Sequence, residues 1–143
     1  MKIVVGTDGS EPSKRAVEWC AAHAGALGAE VVAVHAIDIP IVVAPATTAF
    51  PLQIPQLSTD EREDLRDIVT REWCAPLDKA AVPFRVVVVD GNPALVLMEV
   101  AKEENADLVV TGKRGRGGFA ELILGSTSHV LSHHLDRPLV IVP

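Results

Sequence analysis

The chain has 143 residues, 48% of them hydrophobic and 22% charged, with a formal net charge of −6. That length suits one domain with a real core, but no apolar run reaches the roughly 20 residues of a membrane span. The acidic balance argues against general affinity for nucleic acid or anionic membrane, since both require a basic field.

Cys20 and Cys74 both fall inside helix-like patterns and make no disulfide framework, so a reducing cytoplasm is the expected compartment. Met1-Lys2 runs directly into Ile3-Val4-Val5 and polar Asp8, and no signal peptide is expected. Ile3 to Gly6 reads as a buried first strand ending in Thr7-Asp8-Gly9-Ser10. Ser10 is expected to cap a helix that has Glu11 and Pro12 in its first turn. Val17, Cys20, Ala21, Ala24 and Leu27 form its apolar stripe, and Gly28 stops it. Val31 to Ile37 is a second strand, so this opening is a βαβ unit and implies a parallel sheet. From Ile39 to Leu57 four prolines, Pro40, Pro45, Pro51 and Pro55, interrupt apolar residues. That stretch reads as a long irregular loop, either packed back on the domain or serving as a lid or partner surface. Ser58-x-x-Glu61 is a capping box opening a helix with Leu65, Ile68, Val69 and Trp73 on one face, which Pro76 should kink or end.

Phe84 to Val89 is a third strand, followed by Asp90-Gly91-Asn92-Pro93, where Asn92 caps and Pro93 takes the first helical position. Leu95, Met98 and Val100 are expected to carry that helix to the core, and it should end near Asn105. Leu108-Val109-Val110 is a fourth strand, Ser126 to His134 a helix and Pro138 to Val142 a fifth strand. Five strands alternating with four helices read as a single α/β domain, a doubly wound parallel sheet with helices on both faces. Such sheets hold ligands beyond the carboxyl ends of their strands.

The chemistry concentrates after the fourth strand. Gly112, Gly115, Gly117 and Gly118 are expected to let the backbone take positive φ and approach a ligand, while Lys113, Arg114 and Arg116 bring three cations to an acidic chain. Gly125-Ser126-Thr127-Ser128 then opens a helix, whose free N–H groups suit an anion. The combination fits phosphate. Gly115-x-Gly117-x-x-Ala120 formally meets the dinucleotide fingerprint, but it follows a late strand and has no acidic residue at the required distance. Gly112-Lys113-Arg114 lacks the hydroxyl of a Walker A loop, and one RGG-like copy is weak evidence for RNA. A merely flexible turn would leave Gly125-Ser126 unexplained.

The spacing Gly112-x2-Gly115-x9-Gly125-Ser126 resembles the nucleotide-binding branch of the universal stress protein family, whose signature is G-x2-G-x9-G-[ST]. The likeness runs from MKIVVGTDGS to RPLVIV. It implies a Rossmann-like, adenine nucleotide alpha hydrolase-like sheet in the order 3-2-1-4-5. It also implies a homodimer paired through Leu139 to Val142, and ATP, with or without Mg2+, as a regulatory ligand that is hydrolysed slowly at most. AMP or cyclic AMP is the alternative ligand.

Carried over residue by residue, the resemblance places Gly6, Thr7 and Asp8 against the nucleoside and uses the Ala36 backbone for adenine. Thr111 and Gly112 line the nucleoside side of the loop. Gly112, Gly115, Gly125 and Ser126 hold phosphate, with Thr127 and Ser128 continuing the turn. By chemistry Asp8 is a poor phosphate neighbour but a good acceptor for ribose hydroxyls or an adenine amine, or else a turn former. Ser126 suits a phosphate oxygen, a helix cap, or both. Lys113 departs from the family pattern, which commonly has a small hydroxylated residue there.

His129 and His133 have i, i+4 spacing, compatible with zinc, but no third ligand is evident, and His23 and His35 have no recognisable partner. No catalytic triad can be argued. The rival readings are an ATPase or nucleotidyl transferase of related fold and a dimeric scaffold that binds partners without nucleotide.

Overall fold

The computed structural model describes residues 1–38, 56–115 and 124–143. The proline-rich loop lies outside the described residues except for Gln56 and Leu57, as do Arg116, Gly117 and Gly118.

Strand β1 (Lys2–Gly6) is an uninterrupted apolar run because both of its faces are covered: Ile3, Val4 and Val5 have no solvent exposure. It pairs in parallel with β2 (Glu30–Ile37) on one side and β4 (Leu108–Gly112) on the other. β3 (Phe84–Asp90) and β5 (Leu139–Val142) complete a sheet in the order 3-2-1-4-5. The last strand starts one residue later than the sequence suggests, because the Pro138 carbonyl accepts from Val109 N–H while its ring leaves no N–H to donate.

Two cores result. Helix α1 (Glu11–His23) buries Ala16, Val17 and Cys20 against Ile3, Val5 and Val110. Cys74 and Leu77 join the same cluster, Leu77 from α3 (Ala75–Lys79). On the opposite face α4 (Pro93–Glu103) and α5 (Ser126–His134) meet Val4, Val32, Val34 and Val109. Both cysteines are free, and burial pushes each thiol up to about 12. That suits small core residues, as the sequence suggests.

Several local expectations need correction. Leu27 is 44% exposed, because α1 already ends at His23 and loose turns lead to Gly28, whose φ of 57° completes the stop. The helix opened by the Ser58 capping box is three pieces: α2 (Thr59–Ile68), a π-helical turn over Val69–Trp73, and α3 with Pro76 in its first turn. Leu65, Val69 and Trp73 face the core, but Ile68 is 41% exposed. In α4, Asn92 caps as expected, its side chain accepting from Ala94 N–H and Leu95 N–H. Leu95 is nevertheless 60% exposed, and Ala94, Val96, Leu97, Val100 and Ala101 form the buried face, with Met98 packed at its margin. Asn105, with φ 48°, closes the helix end.

Candidate functional site

Strand order reverses between β1 and β4, and the chain leaves these neighbours in opposite directions. A crevice of about 560 Å3 opens there, at the carboxyl ends of the strands. Its wall includes the residues carried over for nucleotide binding, Gly6, Thr7 and Asp8 from the end of β1, Ala36 from β2, Thr111 and Gly112 from β4, and Gly115, Gly125, Ser126, Thr127 and Ser128 from the loop and α5, but not Lys113.

The turn after β1 is a network of hydroxyls. Thr7 N–H donates to Val34 O at 2.9 Å, continuing the ladder past the strand. Asp8 Oδ1 accepts from Ser10 N at 3.0 Å and Ser10 Oγ at 2.5 Å, an Asx turn. Ser10 therefore stands at the N-cap of α1 but spends its hydroxyl on Asp8, and no side chain caps that helix. Ser13, 4% exposed, ties the turn from below: its Oγ accepts from Asp8 N at 3.3 Å, donates to Ser10 O at 2.9 Å and lies 3.4 Å from Thr7 Oγ1.

Across the crevice Lys113 is a backbone hub. Its N–H donates to Val142 O at 2.7 Å, and its carbonyl accepts from Gly125 N at 2.8 Å and Ser128 Oγ at 2.9 Å. Ser128 is 1% exposed and also reaches Gly125 O at 3.0 Å, so its hydroxyl holds the loop to the helix. Gly125, not Ser126, is the N-cap of α5; with no side-chain cap there, the helix presents its first amides and the exposed Ser126 hydroxyl at the crevice.

The glycines here serve close approach, not positive φ. Among the described glycines only Gly9, Gly28 and Gly91 have positive φ. A Cβ at Gly112 would lie 2.6 Å from the Pro12 backbone, one at Gly6 2.9 Å from Leu97, one at Gly125 3.0 Å from Arg114 Cα, and one at Gly115 2.6 Å from Asp8 Oδ2. The positive-φ expectation for Gly112 and Gly115 is thus replaced by a steric one.

Arg114, one of the three loop cations, also lines the crevice, as do Ser13 and Asp38, which the sequence had not singled out. Ser13 was detectable as a hydroxyl one turn into a helix that follows a polar strand tip. His35 has a partner after all: its Nδ1–H donates to Thr7 O at 2.9 Å, and its ring meets Trp73 edge-on at 5.1 Å. His23 shares a 2.7 Å hydrogen bond with Trp19 O and stacks on the Trp19 ring. His129 and His133 lie 4.7 Å apart between ring centres, and no group of three His, Cys, Asp or Glu among the described residues is arranged to hold a metal. Among the described residues no helix is long and apolar enough to cross a membrane.

Strand order and crevice together define a doubly wound α/β domain with an open crevice at its switch point, where folds of this class hold ligands. A model described as the universal stress protein family matches residues 1–143, and the chain belongs to that family. A universal stress protein of Methanocaldococcus jannaschii is 30% identical over 144 residues, covering 99% of this chain and 81% of that one. Universal stress protein YxiE of Bacillus subtilis is 30% identical over 148 residues, covering 99% of this chain and 97% of that one. A universal stress protein solved in complex with cAMP has a TM-score of 0.72 and 26% identity, over 99% of this chain and 95% of that one.

Proposed function

We propose that this protein belongs to the nucleotide-binding branch of its family and binds ATP as a regulatory ligand in the cytoplasm, with slow hydrolysis at most. The supporting observation is convergence: Gly112, Gly115, Gly125 and Ser126, dispersed in sequence, line one crevice with Asp8 and Ala36. Its size, about 560 Å3, is in the range of small-ligand sites. The uncapped start of α5, the Ser126 hydroxyl and Arg114 supply phosphate chemistry at one end. Asp38 and the Ala36 backbone supply acceptors for ribose and adenine on the β2 side, while Asp8 lies against Gly115 of the loop. Mg2+ would enter with the nucleotide, on phosphate oxygens.

Cyclic AMP is the second reading. It is favoured by the solved relative that holds cAMP and by the two carboxylates, Asp8 and Asp38, in the crevice wall. A singly charged nucleotide meets less repulsion there than free ATP.

Titration calorimetry with ATP, ATP plus Mg2+, AMP and cyclic AMP tests both readings. ATP binding that Gly125→Ala weakens at least tenfold is the expected result. Cyclic AMP binding without ATP binding selects the second reading, and no adenine nucleotide bound at millimolar concentration defeats both. Phosphate release at about 1 per second or faster would instead make the protein an ATPase.

The same reading makes the protein a homodimer. β5 is an edge strand, pairing with β4 on one side only, and its four residues are half-buried. Sedimentation at micromolar concentration should show a dimer, and monomer alone would defeat this part.

A further inference from the structure

The first-strand turn and the glycine loop, more than 100 residues apart in sequence, meet where Asp8 faces Gly115. A Cβ at position 115 would stand 2.6 Å from Asp8 Oδ2, well inside van der Waals contact. A carboxylate at the end of a flexible side chain ordinarily swings away from such a clash. Here it is anchored: the other oxygen, Oδ1, is bound by Ser10 N at 3.0 Å and Ser10 Oγ at 2.5 Å. Ser13 holds the Asp8 amide from beneath at 3.3 Å. The backbone gives no other reason for glycine, because Gly115 is not among the residues with positive φ.

We propose that Asp8 is the positioning residue of the glycine loop: its anchored carboxylate is the surface on which Gly115 seats, and position 115 requires glycine for that reason. Its consequence for ligand rests on the nucleotide reading above; the seating itself does not. An acidic strand tip then sets where Gly115 stands. Asparagine keeps the shape of that tip, with an oxygen for Ser10 and an amide of similar size toward Gly115, whereas alanine removes it.

A double-mutant cycle of Asp8→Ala and Gly115→Ala, with Asp8→Asn alongside, tests this through two measurements. In thermal unfolding without ligand, Gly115→Ala should lower the midpoint by about 4 °C when Asp8 is present and by less than half as much in the Asp8→Ala background. Equal losses in the two backgrounds would overturn the proposal. In calorimetry with ATP, Gly115→Ala should weaken binding about tenfold, and Asp8→Ala should add less than a further twofold to it. Effects that multiply would mean that the two residues act separately. Asp8→Asn, which keeps that shape, should unfold within about 1 °C of the parent protein and keep the full loss on adding Gly115→Ala, and a midpoint as low as that of Asp8→Ala would overturn the proposal. If the parent protein binds no ATP, the nucleotide reading fails, and the thermal cycle still decides whether Asp8 seats the loop.

Discussion

The two ends of the parallel sheet are closed by different chemistry. At the amino end, charges close the structure: Lys2 Nζ lies 2.9 Å from Glu104 and 3.3 Å from Glu30, and Arg85 pairs with the same Glu104. Lys2 N–H donates to Asp107 Oδ2 at 2.7 Å, and Arg137 Nη1 donates to the Ala101 and Ala106 carbonyls at 2.7 and 2.9 Å. At the carboxyl end one ion pair, Arg62 with Asp90, ties the edge strand β3 to α2, but around the crevice the buried polar groups are neutral hydroxyls, Thr7, Ser13, Thr111 and Ser128, and missing Cβ atoms let the elements approach one another. The difference separates two tasks. Paired charges can hold strand starts and helix ends together. A ligand crevice needs its backbone groups accessible, so its walls are fixed by small residues that satisfy one another and leave room between them.

Substitutions at the two ends should therefore separate stability from binding. The largest effect is expected for Gly112→Ala, where the new methyl meets Pro12 backbone atoms that cannot rotate away. Urea unfolding should show a loss of about 2–3 kcal/mol, and a parent-like midpoint would mean that α1 moves freely against β4. Next comes Arg137→Ala, which strips the Ala101 and Ala106 carbonyls of their charged donor. It should cost about 1.5 kcal/mol, yet leave nucleotide affinity unchanged, because it lies at the amino end. An affinity change there would erase the distinction between the ends. Ser128→Ala removes a buried hydroxyl from Lys113 O and Gly125 O. About 1 kcal/mol of stability should be lost, and ATP binding should weaken with it because the loop loses its tie to α5.

The smallest effect concerns pH. Arg85, and after it Lys2, hold the Glu104 carboxyl below its ordinary range, while Glu104, and after it Glu30, hold the Lys2 ammonium above its own. A depressed carboxyl contributes stability above its unfolded-state value and loses it as pH falls through the folded-state value. A raised ammonium contributes below its unfolded value of 10.5 and loses it as pH rises further. Thermal midpoints of Glu104→Gln should thus lie slightly below those of the parent near neutral pH and converge with them in acid. A constant gap across acid pH would remove Glu104 from the account.

Much of the architecture was legible because buried parallel strands leave short continuous apolar runs such as Ile3-Val4-Val5 and Leu108-Val109-Val110, each bounded by polar or glycine residues. The crevice was legible as spacing, since Gly112, Gly115 and Gly125-Ser126, which line it, stand at fixed distances in the sequence. What stayed hidden was phase and cause. Positions 94–98 of α4 are all apolar, so periodicity cannot say which side turns inward; the choice is made by Gly6, against which Leu97 fits. The π-helical turn before Cys74 has no counterpart in composition. Glycine itself is ambiguous, since the same residue marks a reversed φ at Gly28 and a lack of space at Gly112.

The two thiols give the molecule an internal clock. Cys20 and Cys74 sit in the core with their sulfurs held protonated by burial, so an alkylating reagent near neutral pH finds nothing to attack in the closed state. Labelling must wait for the α1 and α3 layer to lift from the sheet. The rate of mass increase, followed with and without ATP, then counts those openings and shows whether an occupied crevice on one edge of the layer slows them.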